Sequence, residues 1–564
     1  MEGMTIFFTN SLRGMKSFPL MRIRMTQSIT IRAFIWSKQR PFLIGALALA
    51  FGLSLIGANW GRVECWNMDQ MAFRGVQSNG LPMGGYLKPP LDTYLNNILV
   101  IKPVDAIVTA LDMDRKMRNP LQLLGSRLLT ILLFCGTITL LFEICRRECG
   151  PTAAAVTAML IATSAGILEY NHFATADSPL LFWMVAALFM AIKASISGRI
   201  MDSTLAGLLS GLAAADKYNG IVVGIAIPAA IIATSGWKAL LSKRLIAGVL
   251  SVPLGFMIGN PGSVFDYSSF SQDFLYNLYT TPVYAGETHQ TGYVSYFTSF
   301  SDILGWPAYL LSGLAVLISL IHVCTGRATK STRLLFFTAG AVFIAYTLII
   351  GRFPRMETRF VLPAAPFLLL MAAPAYEAID KRKIFITTVL SAVILYNVVC
   401  CVFLGIRFLS DPRMDAQLYV MKYVPRGSHI ETTYSPEWGN IPGVDVKVFH
   451  MPYVFGREER FNKIFGNNDV IKEGINKYEL QRVTPDSFTQ KGLFERNPDF
   501  ITFSDQVYLF TPDQSVQQFY YDLEDGRYGY RKVFDRKCIP PISWTYPKSI
   551  DLLANRMVIL KKEK

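Results

Sequence analysis

The chain has 564 residues, 51% of them hydrophobic and 17% charged, where a soluble chain of this size carries about 25% charged residues. The missing charge lies in the first three quarters, where apolar blocks recur at lengths suited to membrane helices, so a wholly soluble enzyme is excluded. The formal net charge of +14 calls for no nucleic-acid partner, because most of the excess cations sit in short loops between apolar blocks, where they set topology and attract anionic membrane lipids.

Residues 1–40 form a basic segment carrying Arg13, Lys16, Arg22, Arg24, Arg32, Lys38 and Arg40, which places it in the cytoplasm. It lacks a small-residue cleavage site, so the apolar block that follows is read as a retained anchor. A bilayer-crossing helix needs roughly 20 mostly apolar residues, and about eleven spans are predicted. They cover Pro41–Asn59, Leu121–Cys145, Pro151–Leu168, Pro179–Ser197, Thr204–Ala215, Ile221–Gly236, Leu245–Gly259, Ile303–Cys324, Leu334–Gly351, Phe360–Ala378 and Ile384–Ile406. Alternate loops are short and basic, as at Arg146-Arg147, Arg199, Lys238 to Arg244, Arg327 to Arg333 and Lys381-Arg382-Lys383, and all fall on the cytoplasmic side of this count. The domains read as 41–408 in the membrane and 409–564 as an extracytoplasmic soluble domain of α/β or α+β type.

The first external loop, between Trp60 and Leu91, carries one carboxylate, Asp69, soon after a membrane exit. It ends in Tyr86-Leu87-Lys88-Pro89-Pro90-Leu91, where proline fixes φ and restrains the residue before it, holding Lys88 extended. From Asp92 to Asn119 the apolar spacing is roughly helical, which suits either helices lying in the membrane interface or ordinary packing on the bundle. The third span ends in Glu169-Tyr170-Asn171-His172-Phe173-Ala174-Thr175-Ala176-Asp177-Ser178-Pro179. Asp177 or Ser178 is a natural helix cap there, and His172 reads first as a backbone hydrogen-bonding group.

Gly207 and Gly211 stand four residues apart, as close helix packing requires. Their span ends in Asp216-Lys217-Tyr218-Asn219, where Lys217 either snorkels, pairs with Asp216 or binds an anion such as phosphate. The external stretch to Asp302 is rich in aromatic and hydroxyl residues, with Glu287 and His289 as two metal-ligand types; two ligands do not make a site, and a divalent metal ion stays open as a cofactor. Between the ninth and tenth spans Arg352, Arg355 and Arg359 cluster against the charge bias of that side, and guanidinium binds phosphate in bidentate fashion. Eight cysteines show no zinc spacing; Cys65 and Cys538 are the two in external regions, either paired or free.

The ordered set of these motifs resembles the C-type (GT-C) membrane glycosyltransferases of the protein O-mannosyltransferase and lipid A aminoarabinose-transferase superfamily. The likeness rests on Asp69, on Tyr86 to Leu91, on His172 to Leu180, on Asp216 to Asn219, on Asn260-Pro261 and on Arg359-Phe360-Val361-Leu362-Pro363, and it continues more weakly into the tail. It implies a polytopic helical bundle with external loop helices. It also implies inverting transfer of a sugar from a polyprenyl-phosphate donor to a glycan, lipid or protein hydroxyl at the external face of a plasma, inner or endoplasmic reticulum membrane. By that resemblance Asp69 is the general base, and Asp177 orients the acceptor or a catalytic cation. Lys88, Lys217 and Arg359 hold the donor phosphate, while Tyr86, His172, Glu287, His289 and Arg355 are candidate substrate contacts. Gln70 stands where many members have a second acid, and Leu87 where some aminoarabinose transferases have Glu. The competing classes are a transporter or lipid flippase, for which no repeated halves are visible, and a non-catalytic sugar-binding scaffold.

Overall fold

The computed structural model describes residues 41–61, 75–83, 85–114, 117–280, 292–353, 356–378, 384–432, 445–448, 468–470, 485–509, 514–538 and 556–563. Four of the expected site residues, Asp69, Glu287, His289 and Arg355, lie outside these segments, as does Cys65.

The chain is an integral, multi-pass membrane protein built from a helical bundle and a small C-terminal sheet. Helix α1 (Pro41–Leu55) is apolar and short. After the first loop come α2 (Leu91–Asn96), a π-helical turn at Asn97–Ile101 and α3 (Lys102–Ala110). This run buries Val100 and Val108 and exposes Ile98, Leu99, Ile107 and Leu111, which fits a helix lying in the membrane interface. The long α4 (Arg118–Glu148) follows, then α5 (Pro151–Ala162) and α6 (Ala165–Phe173), which meet at a 52° bend. Next are α7 (Asp177–Ser197), α8 (Ile200–Asp216), a 3-10 segment Tyr218–Ile225 leading into α9 (Ala226–Ser235), and α10 (Lys243–Gly259). An aromatic-rich α11 (Tyr267–Thr280) and α12 (Gly292–Leu304) precede α13 (Trp306–Cys324), α14 (Lys330–Ile350), α15 (Thr358–Glu377, with a 3-10 turn at Leu362–Ala364) and α16 (Ile384–Leu409).

Every predicted span has a helical counterpart, but the count of eleven is only partly matched. Among the described residues seven helices are long and apolar enough to cross a membrane, or eight if the bent α5–α6 pair is one span. The 17-residue α8 and α10 reach only about 25 Å at 1.5 Å per residue. They pack against each other along glycines instead. A Cβ on Gly207 would stand 2.0 Å from the Gly248 carbonyl oxygen, and one on Gly211 2.1 Å from that of Val252, so the backbones touch where any side chain would part them.

Helix α15 is the centre of the bundle: 94% of its apolar window is buried, against 28% for the peripheral α13. It begins beside Arg359, and at its far end Glu377 accepts from the Thr152 and Ala153 amides at 2.8 and 3.0 Å, closing the start of α5.

After α16 the chain enters α17 (Pro412–Tyr423), whose cap Asp411 accepts from the Arg413 amide at 3.0 Å. Among the described residues five strands follow: β1 (His429–Thr432), β2 (Asp445–Val448), β3 (Phe500–Ser504), β4 (Tyr530–Lys537) and β5 (Arg556–Lys562), in the order β2-β1-β3-β5-β4. The β2-β1-β3 half is parallel, whereas β5 pairs antiparallel with both β3 and β4. Trp60 ties this region to the bundle. Its Nε1 donates to Asp411 Oδ2 at 2.8 Å, its ring lies between Arg127 and Arg413, and Arg127 also donates to the Ala58 and Trp60 carbonyls at 2.6 Å. The chain after Trp60 therefore departs from a fixed point.

Candidate functional site

Four segments distant in sequence meet at one end of α7 and α15, the end of α8 bringing Lys217 to the other three. The first is the turn at Tyr86 to Pro90. Its backbone is pinned on both sides: the Tyr86 amide donates to Asp273 Oδ2 at 2.7 Å, the Tyr218 hydroxyl to the Tyr86 carbonyl at 2.6 Å, and the Asn277 amide to the Leu87 carbonyl at 2.6 Å. Tyr86 itself is buried, edge-on to Phe270. Burial, followed by neighbouring Asp266, raises its phenol well above the ordinary range, so it is a neutral, packed side chain that carries the turn. Pinned this way, Lys88 reaches the space among Asp177, Lys217, Glu357 and Arg359.

The second segment is the bend between α6 and α7. Ala174 takes a left-handed conformation, φ 50°, which costs a non-glycine residue roughly 1–2 kcal/mol. The bend delivers Asp177 at the first position of α7. Its side chain makes no capping bond; instead Oδ2 accepts from the Thr175 hydroxyl at 2.9 Å, and Oδ1 is bonded by the Lys217 ammonium. The cap expected from sequence is thus replaced by an ion pair. Lys217 likewise takes Asp177, not its neighbour Asp216, as partner. Asp216 is buried, and neither of its carboxylate oxygens is hydrogen-bonded among the described residues.

The third segment is the start of α15. Arg359 Nε lies 2.5 Å from Glu357 Oε2, and both side chains keep some exposure, 22% and 33%. The Phe360 ring lies 5.5 Å from both the Lys217 ammonium and the Arg359 guanidinium. Tyr346 locks the two segments together, accepting from the Asn219 amide at 2.6 Å and donating to the Phe360 carbonyl at 2.9 Å. Sequence reading overlooked Tyr346, whose only signal is an aromatic residue in an apolar run, and took Phe360 only as part of the Arg359 to Pro363 motif.

Around this point three cations, Lys88, Lys217 and Arg359, face two carboxylates, Asp177 and Glu357. Burial first, and then Arg359, pulls Lys88 down from the usual lysine range to about 7, against the opposing pull of Asp177 and Glu357. Opposite charge nearby favours the charged form of an ionisable group, so an anion here would restore the ammonium.

His172 is not part of this cluster. It is buried, its ring stacks on Phe408 at 4.2 Å, and its nitrogens lie 2.7 Å from the Leu168 and 2.8 Å from the Ile56 carbonyl oxygens. Backbone carbonyls face both polar edges of the ring, as the reading of His172 as a backbone hydrogen-bonding group expects. Among the described residues no group of three or more His, Cys, Asp or Glu side chains is placed to hold a metal ion.

Residues 121–258, from α4 to α10, match the sequence profile of the dolichyl-phosphate-mannose-protein mannosyltransferase family. That stretch contains Asp177 and Lys217 but neither Lys88 nor Arg359. No curated protein matches the chain by sequence. Among solved structures the fold is similar to ArnT from Cupriavidus metallidurans bound to undecaprenyl phosphate, with a TM-score of 0.51, 14% identity, and 92% of this chain covering 97% of that one. The apo state of the same protein gives a TM-score of 0.50 at 16% identity, covering 94% and 98%. The apo oligosaccharyltransferase of Archaeoglobus fulgidus is more distant, with a TM-score of 0.45 at 12% identity, covering 83% and 70%. The chain has the GT-C fold, and its match to the mannosyltransferase profile covers residues 121–258 alone.

Proposed function

We propose that the chain is an inverting glycosyltransferase that moves a sugar from a polyprenyl-phosphate donor to a hydroxyl acceptor at the extracytoplasmic membrane face. The observation that carries this reading is the convergence of Lys88, Lys217 and Arg359 from three separate segments, with Asp177 and Glu357 as ion-pair partners among the described residues. An excess of positive charge at the mouth of a helical bundle suits a lipid-linked phosphate, which is the ligand that ArnT was solved with. The transporter reading gains nothing from this geometry, since the charges gather at helix ends and not at the midplane.

In the reaction the acceptor oxygen attacks the anomeric carbon as the bond from that carbon to the phosphate oxygen breaks. The acceptor proton passes to Asp69, and the departing lipid phosphate gains one negative charge. The three cations act on that charge as it develops, which is where fixed electrostatic groups accelerate a reaction most. Asp177 holds Lys217 in place and so sets the clamp. Residues 41–408 form the catalytic unit and 409–564 a domain that covers it, with Asp411 as the joint.

The test is transfer of labelled sugar from a polyprenyl-phosphate donor in vesicles, measured beside donor binding. Asp69→Asn should cut transfer by about a hundred- to ten-thousandfold, the usual loss for a general base, while leaving donor binding intact. Asp177→Asn should weaken donor binding as well. Near-normal transfer by Asp69→Asn would remove the base from the proposal. Mass spectrometry of cell-envelope glycans from cells lacking the protein identifies the sugar and the acceptor.

A further inference from the structure

A second charged recess lies at the other end of α7. The helix runs from Asp177 in the phosphate clamp to Ser197, 21 residues, or about 30 Å at 1.5 Å per residue. That is the thickness of the hydrocarbon layer, so the two ends of α7 reach opposite headgroup layers. Between the last turns of α7 and α4 is a groove of about 250 Å³ whose walls include Arg147, Glu148, Phe189, Lys193 and Ile196. Ile196 is 59% exposed, so the groove opens to the outside of the bundle, towards lipid.

The groove carries both signs of charge in a definite arrangement. At its base Glu148 is 8% exposed, and the Ser331 side chain bonds its carboxyl, yet Oε2 is buried with no hydrogen-bond partner among the described residues. A buried carboxylate oxygen without a donor is costly, and Glu148 is one of the residues that line the groove. At the rim, the Arg147 guanidinium lies over the Phe189 ring at 5.3 Å and uses its Nε on Glu143 at 2.5 Å. The Lys193 ammonium is held by Asp202 at 3.0 Å. Both rim cations remain nearly half exposed, 48% and 46%, and both present further donors, since guanidinium has five and ammonium three.

We propose that this groove is a headgroup site for an amine-bearing phospholipid of the phosphatidylethanolamine type, in the leaflet opposite the phosphate clamp. The lipid ammonium donates to Glu148 Oε2, and its phosphate accepts from Arg147 and Lys193. A phosphatidylglycerol headgroup would satisfy the rim but offers Glu148 a neutral hydroxyl in place of an ammonium. A choline headgroup has the right charges, but its nitrogen has no hydrogen to donate.

The test is lipid retention by the delipidated, full-length protein, followed by native mass spectrometry with phosphatidylethanolamine, phosphatidylcholine or phosphatidylglycerol added in turn. Phosphatidylethanolamine should be retained about ten- to a hundredfold better than either of the others, the value of one charged hydrogen bond. Glu148→Gln should erase the preference for ethanolamine over choline, and Arg147→Ala should weaken both about equally. Equal retention of the ethanolamine and choline lipids by the unaltered protein overturns the proposal without recourse to any variant. So does an unchanged preference in Glu148→Gln, or displacement of phosphatidylethanolamine by a polyprenyl phosphate.

Discussion

Replacing Lys88 by Met tests the clamp through pH. In the ligand-free protein Lys88 titrates near 7, chiefly because it is buried and secondarily because Arg359 faces it. A donor phosphate beside it would return it to at least the ordinary lysine range, about 10.4. Between those two values donor binding takes up a proton, so affinity falls as pH rises. Taking 7 and 10.4 as the free and bound values, the loss between pH 7 and pH 9 is about fiftyfold, approaching tenfold per unit. The glycosyl phosphodiester of the donor does not titrate in this window, so the slope belongs to the protein. Titrating a fluorescent polyprenyl-phosphate sugar at pH 6, 7, 8 and 9 should show this slope in the unaltered protein and a flat, weaker profile in Lys88→Met. Stability should move the other way. The folded state binds fewer protons than the unfolded one between pH 7 and about 10.4, so ligand-free stability rises with pH across that window. Lys88→Met, relieved of a buried ammonium, should melt higher than the unaltered protein at pH 7. A pH-independent donor affinity in the unaltered protein would refute the placement of Lys88 against the phosphate.

Lys217→Ala and Arg359→Ala should each weaken donor binding about ten- to a hundredfold, since a hydrogen bond to a charged group is worth roughly 1.5–3 kcal/mol; normal donor binding by both would reduce them to structural cations. Trp60→Phe keeps the ring between Arg127 and Arg413 but loses the bond to Asp411. It should cost about 1.5–3 kcal/mol, seen as a lower melting temperature in detergent, and an unchanged melt would show that the joint does not depend on that bond. Single cysteines at Gly80 and Ser515 should label from the same, external side of sealed vesicles, and opposite accessibility would overturn the proposed sidedness of the clamp.

Helix positions were legible in the sequence because hydropathy is local: a run of apolar residues crosses a membrane whatever its neighbours do. The close approach of α8 and α10 could be read from Gly207 and Gly211 for the same reason, since a missing side chain is visible without a partner. Lys88, Lys217, Arg359 and Asp177 stood out as charges at the ends of apolar runs. Partner choice was not legible. Lys217 has Asp216 beside it in the chain, yet it bonds Asp177, because the bend at Ala174 and the end of α8 bring those two side chains together. His172 sits five residues from Asp177 and is nonetheless turned away from the clamp, its ring nitrogens 2.7 and 2.8 Å from the Leu168 and Ile56 carbonyl oxygens. The titration of Lys88 near neutrality is likewise a property of the assembled site: it needs burial and the approach of Arg359, 271 residues along the chain (359 − 88). Hydropathy and loop charge depend on nearest neighbours and are written in the order of residues. Ion pairing and desolvation depend on distances in space, and only the packing of the bundle set those.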